Sequence, residues 1–272
     1  MANSYINSAG KRNAFGIDTR SLGKMEAAAM HFQRTGVIWI LSIAISLAAS
    51  TVYIAAQGTT SSERDTPMAV LRGKIWLIGA APAPIKFNTR ADPSCSPFDQ
   101  VAENVVVSNQ GLENSMVFVS SPVADLSAPD TPAVLEMHNC RFEPHVLTLQ
   151  VGQRLNIRNN DQTLYNVHAI TQRNAPLNTG LPVPMTVTKS FDKPEVPVPI
   201  RDDIHKWMSA FLGIFNHPFH TVSKSGGLYE LRLPPGSYEI TAWHEKYGTV
   251  TKSVTVNPGE NPALDFNFVE QP

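Results

Sequence analysis

A mainly β sandwich behind one membrane-spanning helix is the architecture predicted by this 272-residue sequence. Two observations predict the sandwich. Short β-prone runs recur from Val70 onward, each bounded by Gly, Pro, Asn or Ser, and regular short strands between turn signals are the mark of that class. Proline is also frequent, at 21 residues, among Val-rich runs. A third observation predicts the helix: the stretch 36–56, GVIWILSIAISLAASTVYIAA, carries no charge.

Taken in order, residues 1–35 are polar, with room for a short helix at Leu22–Gln33 against a membrane face or a partner. The 36–56 stretch, at about 1.5 Å per residue, spans roughly 31 Å, the thickness of a hydrocarbon core. Trp39 and Tyr53 stand near its ends, where amphipathic rings prefer the interface. A cleaved leader is the competing reading, but the apolar run and the segment before it are both too long for one. A retained anchor is therefore expected. Lys11, Arg12, Arg20, Lys24 and Arg34 precede it against Asp18 and Glu26. The positive-inside rule then puts the tail in the cytoplasm and the bulk of the chain outside, in a bacterium the periplasm.

Residues 57–69 form a polar linker. Strands are expected at Leu71–Ile78, Val101–Ser108, Met116–Ser120, Pro132–Met137, Val146–Val151, Arg154–Arg158 and Leu164–Ile170. Leu228–Leu233, Gly236–His244 and Thr249–Val256 complete an antiparallel tail. Asn159-Asn160-Asp161, Gly226-Gly227 and Pro234-Pro235-Gly236 are turns. One helical piece is expected at Asp203–Phe211, with Asp202 or Asp203 as its N-cap.

A formal net charge of −1 without a basic face gives no cue for nucleic acid. GxSxG, Walker A and GxGxxG elements are absent from the sequence, so an enzyme is not expected. Cys95 and Cys140 both fall in the exported part, where an even pair suggests a disulfide. Two buried thiols are the alternative. A Cys–Cys metal site is disfavoured because neither has a second ligand at CxxC spacing.

Several motifs occur in a fixed order: Gly73-Lys-Ile, Ala91-Asp-Pro-Ser-Cys95, Asn139-Cys140-Arg-Phe142-Glu-Pro144-His145, Tyr165-Asn-Val-His168, Ile204-His205-Lys-Trp207-Met208, Phe215-Asn-His217-Pro218, Leu233-Pro-Pro-Gly-Ser-Tyr238 and Trp243-His244-Glu245. Together they resemble bacterial periplasmic cupredoxin-like, plastocyanin-like proteins of the "methylamine utilisation" kind. The last part is similar to carboxypeptidase regulatory-like β domains. The resemblance implies a cupredoxin-like Greek-key sandwich over 70–212 and a small β-sandwich over 213–272.

It also implies four candidate metal positions. In that family a His stands at Tyr165 and a Cys at Asp202, followed by the residues present here as His205 and Met208. Two of four positions match. A blue-copper site needs two imidazoles and a thiolate, with Met only a weak axial ligand. Tyr165, Asp202 and His205 make an oxygen-rich set better suited to iron(III) or a harder divalent ion. His168 falls on the opposite strand face from Tyr165. His217, His220 and His244 lack a carboxylate or Cys at metal spacing and are expected as framework. His138 and His145 are expected at the surface or an interface, and Glu245 on the opposite strand face from His244.

The chain is therefore expected to be a membrane-anchored structural or accessory subunit without a cofactor, its copper position given up. Its partners would be the lipid bilayer and other subunits of a membrane complex, such as a photosynthetic reaction-centre or respiratory assembly. The alternatives are a tethered electron-transfer protein holding copper or iron, and a carbohydrate- or peptide-binding sandwich.

Overall fold

The computed structural model describes residues 68–90 and 92–270. The expected tail with its expected helix at 22–33, the expected span at 36–56 and nearly all of the expected linker lie outside the described residues. Among the described residues no helix is long and apolar enough to cross a membrane. They are almost entirely strand and turn, with one 3-10 turn at Ser225–Gly227. The mainly β expectation holds.

Two main cores organise the described residues. The first lies between two sheets. One sheet runs, in spatial order, Met185–Lys189, Leu155–Asn159, Ala133–His138 and Arg141–Glu143. The other runs Leu177–Leu181, Tyr165–Ala169, Glu195–Arg201, Ser209–Phe215 and Val146–Gln150. Leu155–Asn159 and Tyr165–Ala169 bury every second residue, as strands with one face on a core must. Leu135, Met137, Leu155 and Ile157 from one sheet meet Leu149, Val167, Ile200 and Leu212 from the other.

The second core lies between the sheet containing Leu228–Leu233, Ala69–Ile78 and Phe266–Val269 and the sheet containing His220–Val222, Met116–Val119, Gly236–His244 and Gly248–Val256. Ala69–Ile78 pairs antiparallel with Leu228–Leu233 and parallel with Phe266–Val269. The expected boundary at 212/213 is thus corrected at its N-terminal side. Leu71, Ile75, Leu112, Val117 and Val119 pack with the C-terminal core, because their strands complete its sheets. Met116, Val146 and Trp243 join the two lobes, with Phe118 and Phe211 against them.

The expected helix at Asp203–Phe211 is also corrected. Ser209–Phe215 is an interior strand, paired with Glu195–Arg201 on one side and Val146–Gln150 on the other. Ala210, Leu212 and Ile214 face the first core, so a helix there would forfeit two hydrogen-bond ladders. The glycine turns are required by close approach. A Cβ on Gly111 would stand 1.8 Å from Gly226 O, and one on Gly227 2.4 Å from Ile75 O. The run Val101–Ser108 is broken into Gln100–Val101 and Val107–Ser108, and Leu177–Leu181 and Met185–Lys189, which the sequence did not signal, add one strand to each of the two sheets of the first core.

Candidate functional site

The loop 202–208 closes on itself. Asp202 N–H donates to Met208 O at 3.3 Å, and Met208 N–H to His205 O at 2.8 Å. Its organiser is the Asp202 side chain, fully shielded from solvent. Oδ1 accepts the N–H groups of Ile204 and His205 at 2.7 and 2.8 Å. Oδ2 accepts the N–H of Asn166 at 2.9 Å and lies 3.4 Å from His205 Nδ1. The capping role expected of Asp202 is present, though over a turn instead of a helix. Burial pushes this carboxyl up, but the His205 ring and the three backbone donors outweigh it and hold it below the usual range.

His205 is held at both ends. Its Nε2 lies 2.7 Å from Asp92 Oδ2, and its Nδ1 faces Asp202. Asp202 first, then Asp92, raise its pKa against the opposing effect of burial. The rings of Tyr165 and Trp207 meet it edge-on at 5.3 and 5.2 Å.

Tyr165 is buried and donates from Oη to Asp161 Oδ2 at 2.6 Å, while accepting Cys140 N–H at 3.1 Å. Burial, reinforced by Asp161, pushes its phenol upward, so it stays neutral. Met208 is buried in the first core. Cys95 and Cys140 are joined in the expected disulfide, with Cα atoms 5.6 Å apart. Trp207 Nε1–H donates to Cys140 O at 3.0 Å, so the disulfide, the loop and the Tyr165 strand form one hydrogen-bonded block.

The fold therefore does gather Tyr165, Asp202, His205 and Met208 at one end of the first sandwich. The donor set does not fit a blue-copper ion, which needs a thiolate and two imidazoles. It fits a hard ion poorly as well, since each oxygen and both ring nitrogens already have a protein partner.

His168 is on the outer face, its Nδ1 3.0 Å from Asp203 Oδ2. His138 is a half-exposed partner of Asp161. His145 corrects the surface expectation: it is 5% exposed, its Nδ1 3.1 Å from Ser209 O and its Nε2 hydrogen-bonded to Glu245. Burial lowers its pKa, but Glu245 and then Glu103 more than reverse that. His145 and Glu245 are a hundred residues apart, and no local pattern could have paired them.

In the second lobe, His217 donates from Nε2 to Val119 O at 3.1 Å and accepts Phe219 N–H at Nδ1. His220 stacks on Phe215 at 4.7 Å, and His244 on Tyr247 at 5.0 Å. Burial lowers both His220 and His244 to about 4.

Solved structures similar to this chain include a copper-containing nitrite reductase from Thermus scotoductus SA-01, at 19% identity and TM-score 0.29 over 52% of this chain and 28% of that one. A purple cupredoxin from Nitrosopumilus maritimus matches at 15% identity and TM-score 0.26, over 30% of this chain and 98% of that one. A methionine-to-alanine mutant of amicyanin in its Cu(I) form matches at 16% identity and TM-score 0.29, over 38% and 99%. This chain thus spans less than a third of the nitrite reductase, and at these scores the likeness speaks to neither site nor activity. No curated protein sequence matches. Residues 214–269 match the family model of the carboxypeptidase regulatory-like domain, which agrees with the resemblance of the C-terminal part and covers about a fifth of the chain.

Proposed function

We propose that this chain is a membrane-anchored, exported accessory subunit without catalytic activity. In this reading a cupredoxin-like framework has exchanged its metal position for a hydrogen-bonded buttress and serves as scaffold in a membrane complex. The observation that carries it is the engagement of His205 between Asp92 and Asp202, at 2.7 and 3.4 Å. Where a thiolate would be needed stands a carboxylate whose oxygens take three backbone N–H groups. Such a carboxylate is a structural device, because turning its oxygens to an ion would leave those buried N–H groups unsatisfied.

The anchor at 36–56 and the basic tail support a single-pass inner-membrane placement, with the β lobes in the periplasm. The tail, span and lobes would then touch three layers of one assembly, a photosynthetic reaction-centre or respiratory complex being the kind of host in view. Kinship with "methylamine utilisation" proteins belongs to the same proposal.

Purification in gentle detergent followed by mass spectrometry and elemental analysis tests it. The expected result is stoichiometric partner subunits and no stoichiometric copper or iron. A lone monomer carrying one copper or iron would overturn the scaffold reading in favour of electron transfer.

A further inference from the structure

The disulfide ends where the loop lacks a thiolate. Asp92, Cys95 and His205 present ligand atoms that all lie within 4.8 Å of one another. Cys140 Sγ is outside that trio but bonded to Cys95 Sγ, and so lies beside it. While the S–S bond stands, neither sulfur is a thiolate, and only the thiolate ligates metal. We propose that reduction of Cys95–Cys140 converts this closed position into a Zn²⁺ site built from Cys95 Sγ, Cys140 Sγ, His205 Nε2 and Asp92 Oδ2.

Two sulfurs, one imidazole and one carboxylate make a four-coordinate set that Zn²⁺ accepts. At Zn–S bonds of about 2.3 Å, tetrahedral sulfurs stand roughly 3.8 Å apart. Two Cys with Cα atoms 5.6 Å apart reach that by side-chain rotation. His205 Nε2 and Asp92 Oδ2, now 2.7 Å apart, would open by about 0.6 Å to admit an ion with bonds near 2.0 Å. The other ring nitrogen faces Asp202 Oδ2, and a carboxylate in that position orients a ligating imidazole and raises its basicity. Tyr165 Oη holds Cys140 N–H, and Trp207 holds Cys140 O, so the backbone of one ligand is fixed before any ion arrives.

The chemistry balances with a dithiol as reductant. It gives two electrons and two protons to the S–S bond, leaving two thiols here and a disulfide on the donor. Zn²⁺ then displaces one proton from each thiol and the proton on His205 Nε2. Asp92 is already ionised, its pKa lowered chiefly by its hydrogen bond with His205. The site goes beyond the scaffold reading and does not depend on it, since it exists only in the reduced chain.

The test uses the full chain in detergent, reduced anaerobically with a phosphine, which adds no competing thiolate. Co²⁺ is titrated in as a spectroscopic probe and then displaced with Zn²⁺. The expected result is one equivalent of Co²⁺ with thiolate-to-metal charge-transfer absorption in the reduced chain and none in the oxidised chain. Cys95→Ser should weaken that absorption, and Cys95→Ser combined with Cys140→Ser should remove it. Asp202→Asn touches the ring but not the ion, and should weaken Co²⁺ about 10–100-fold while keeping the band. The proposal is overturned if the reduced chain keeps its β-sheet circular dichroism yet takes up no Co²⁺. It is overturned equally by undiminished uptake in His205→Gln, or by loss of the β-sheet spectrum on reduction, because the ligands come from three segments that must stay folded together.

Discussion

The histidines of the two lobes occupy opposite electrostatic worlds. His205 and His145 are buried against carboxylates and have raised pKa values, from Asp202 above all at His205 and from Glu245 overcoming burial at His145. His220 and His244 are buried against aromatic rings, and burial depresses both to about 4. All four sit in β-rich surroundings away from bulk water. The difference is whether a carboxylate lies against the ring. One lobe uses histidine to tie segments together through carboxylates; the other uses it as a flat neutral filler.

The largest expected effect breaks the tied side of this comparison. Asp202→Ala leaves the N–H groups of Asn166, Ile204 and His205 without their acceptor and removes one of the two carboxylates on His205. A loss of about 3–5 kcal/mol is expected, read as a lower urea midpoint with an unchanged slope. Asp202→Asn should lose visibly less, because an amide oxygen can still accept two of those donors. Equal losses in the two variants would show that the capping geometry contributes little. The disulfide, closing 45 residues, should contribute a similar amount, about 4 kcal/mol.

Next comes the neutral side. His220 and His244 have folded pKa values below the unfolded value of 6.5. Their contribution is present above pH 6.5 and is lost as pH falls toward about 4, because only the unfolded chain takes up the proton in that window. Each group should steepen acid unfolding by about 1.4 kcal/mol per pH unit there. Replacing each by Phe should flatten the dependence of unfolding free energy on pH between 6.5 and 4. An unchanged slope in the double variant would erase the contrast between lobes.

The His145–Glu245 pair carries the opposite sign. Its folded pKa is raised, so the stabilisation is complete below pH 6.5 and is lost as pH rises through the folded value. Glu245→Gln should lower stability by about 2 kcal/mol at pH 6, with the gap to the parent chain narrowing at alkaline pH. A gap that widened instead would mean the ring is neutral in the folded chain. The smallest effect is expected at His138, half exposed beside Asp161. His138→Ala should change stability by about 0.5 kcal/mol or less.

Much of the first lobe was legible because its strands alternate. Leu155–Asn159 and Tyr165–Ala169 each present one apolar face, and their period can be counted. Ser209–Phe215 was misjudged for a related reason: buried against neighbours on both sides, it shows a near-continuous apolar run, and a short run of that kind does not distinguish helix from strand. The CxxC criterion set Cys95 aside as a ligand because it counts neighbours along the chain, whereas Asp92, Cys95 and His205 converge across more than a hundred positions.

By itself, the sequence predicted the β class, suggested the pairing of two cysteines, marked the turns at Asn159–Asp161 and Gly226–Gly227, and offered Asp202 or Asp203 as a cap. Each is a local or compositional property that depends on a few neighbouring residues. Only the tertiary structure decided that Ala69–Ile78 joins the C-terminal core, that Asp92 meets His205, and that Glu245 meets His145. Those contacts depend on which strands lie side by side. Strand pairing is settled by the burial of whole faces, and no short window of residues contains that information.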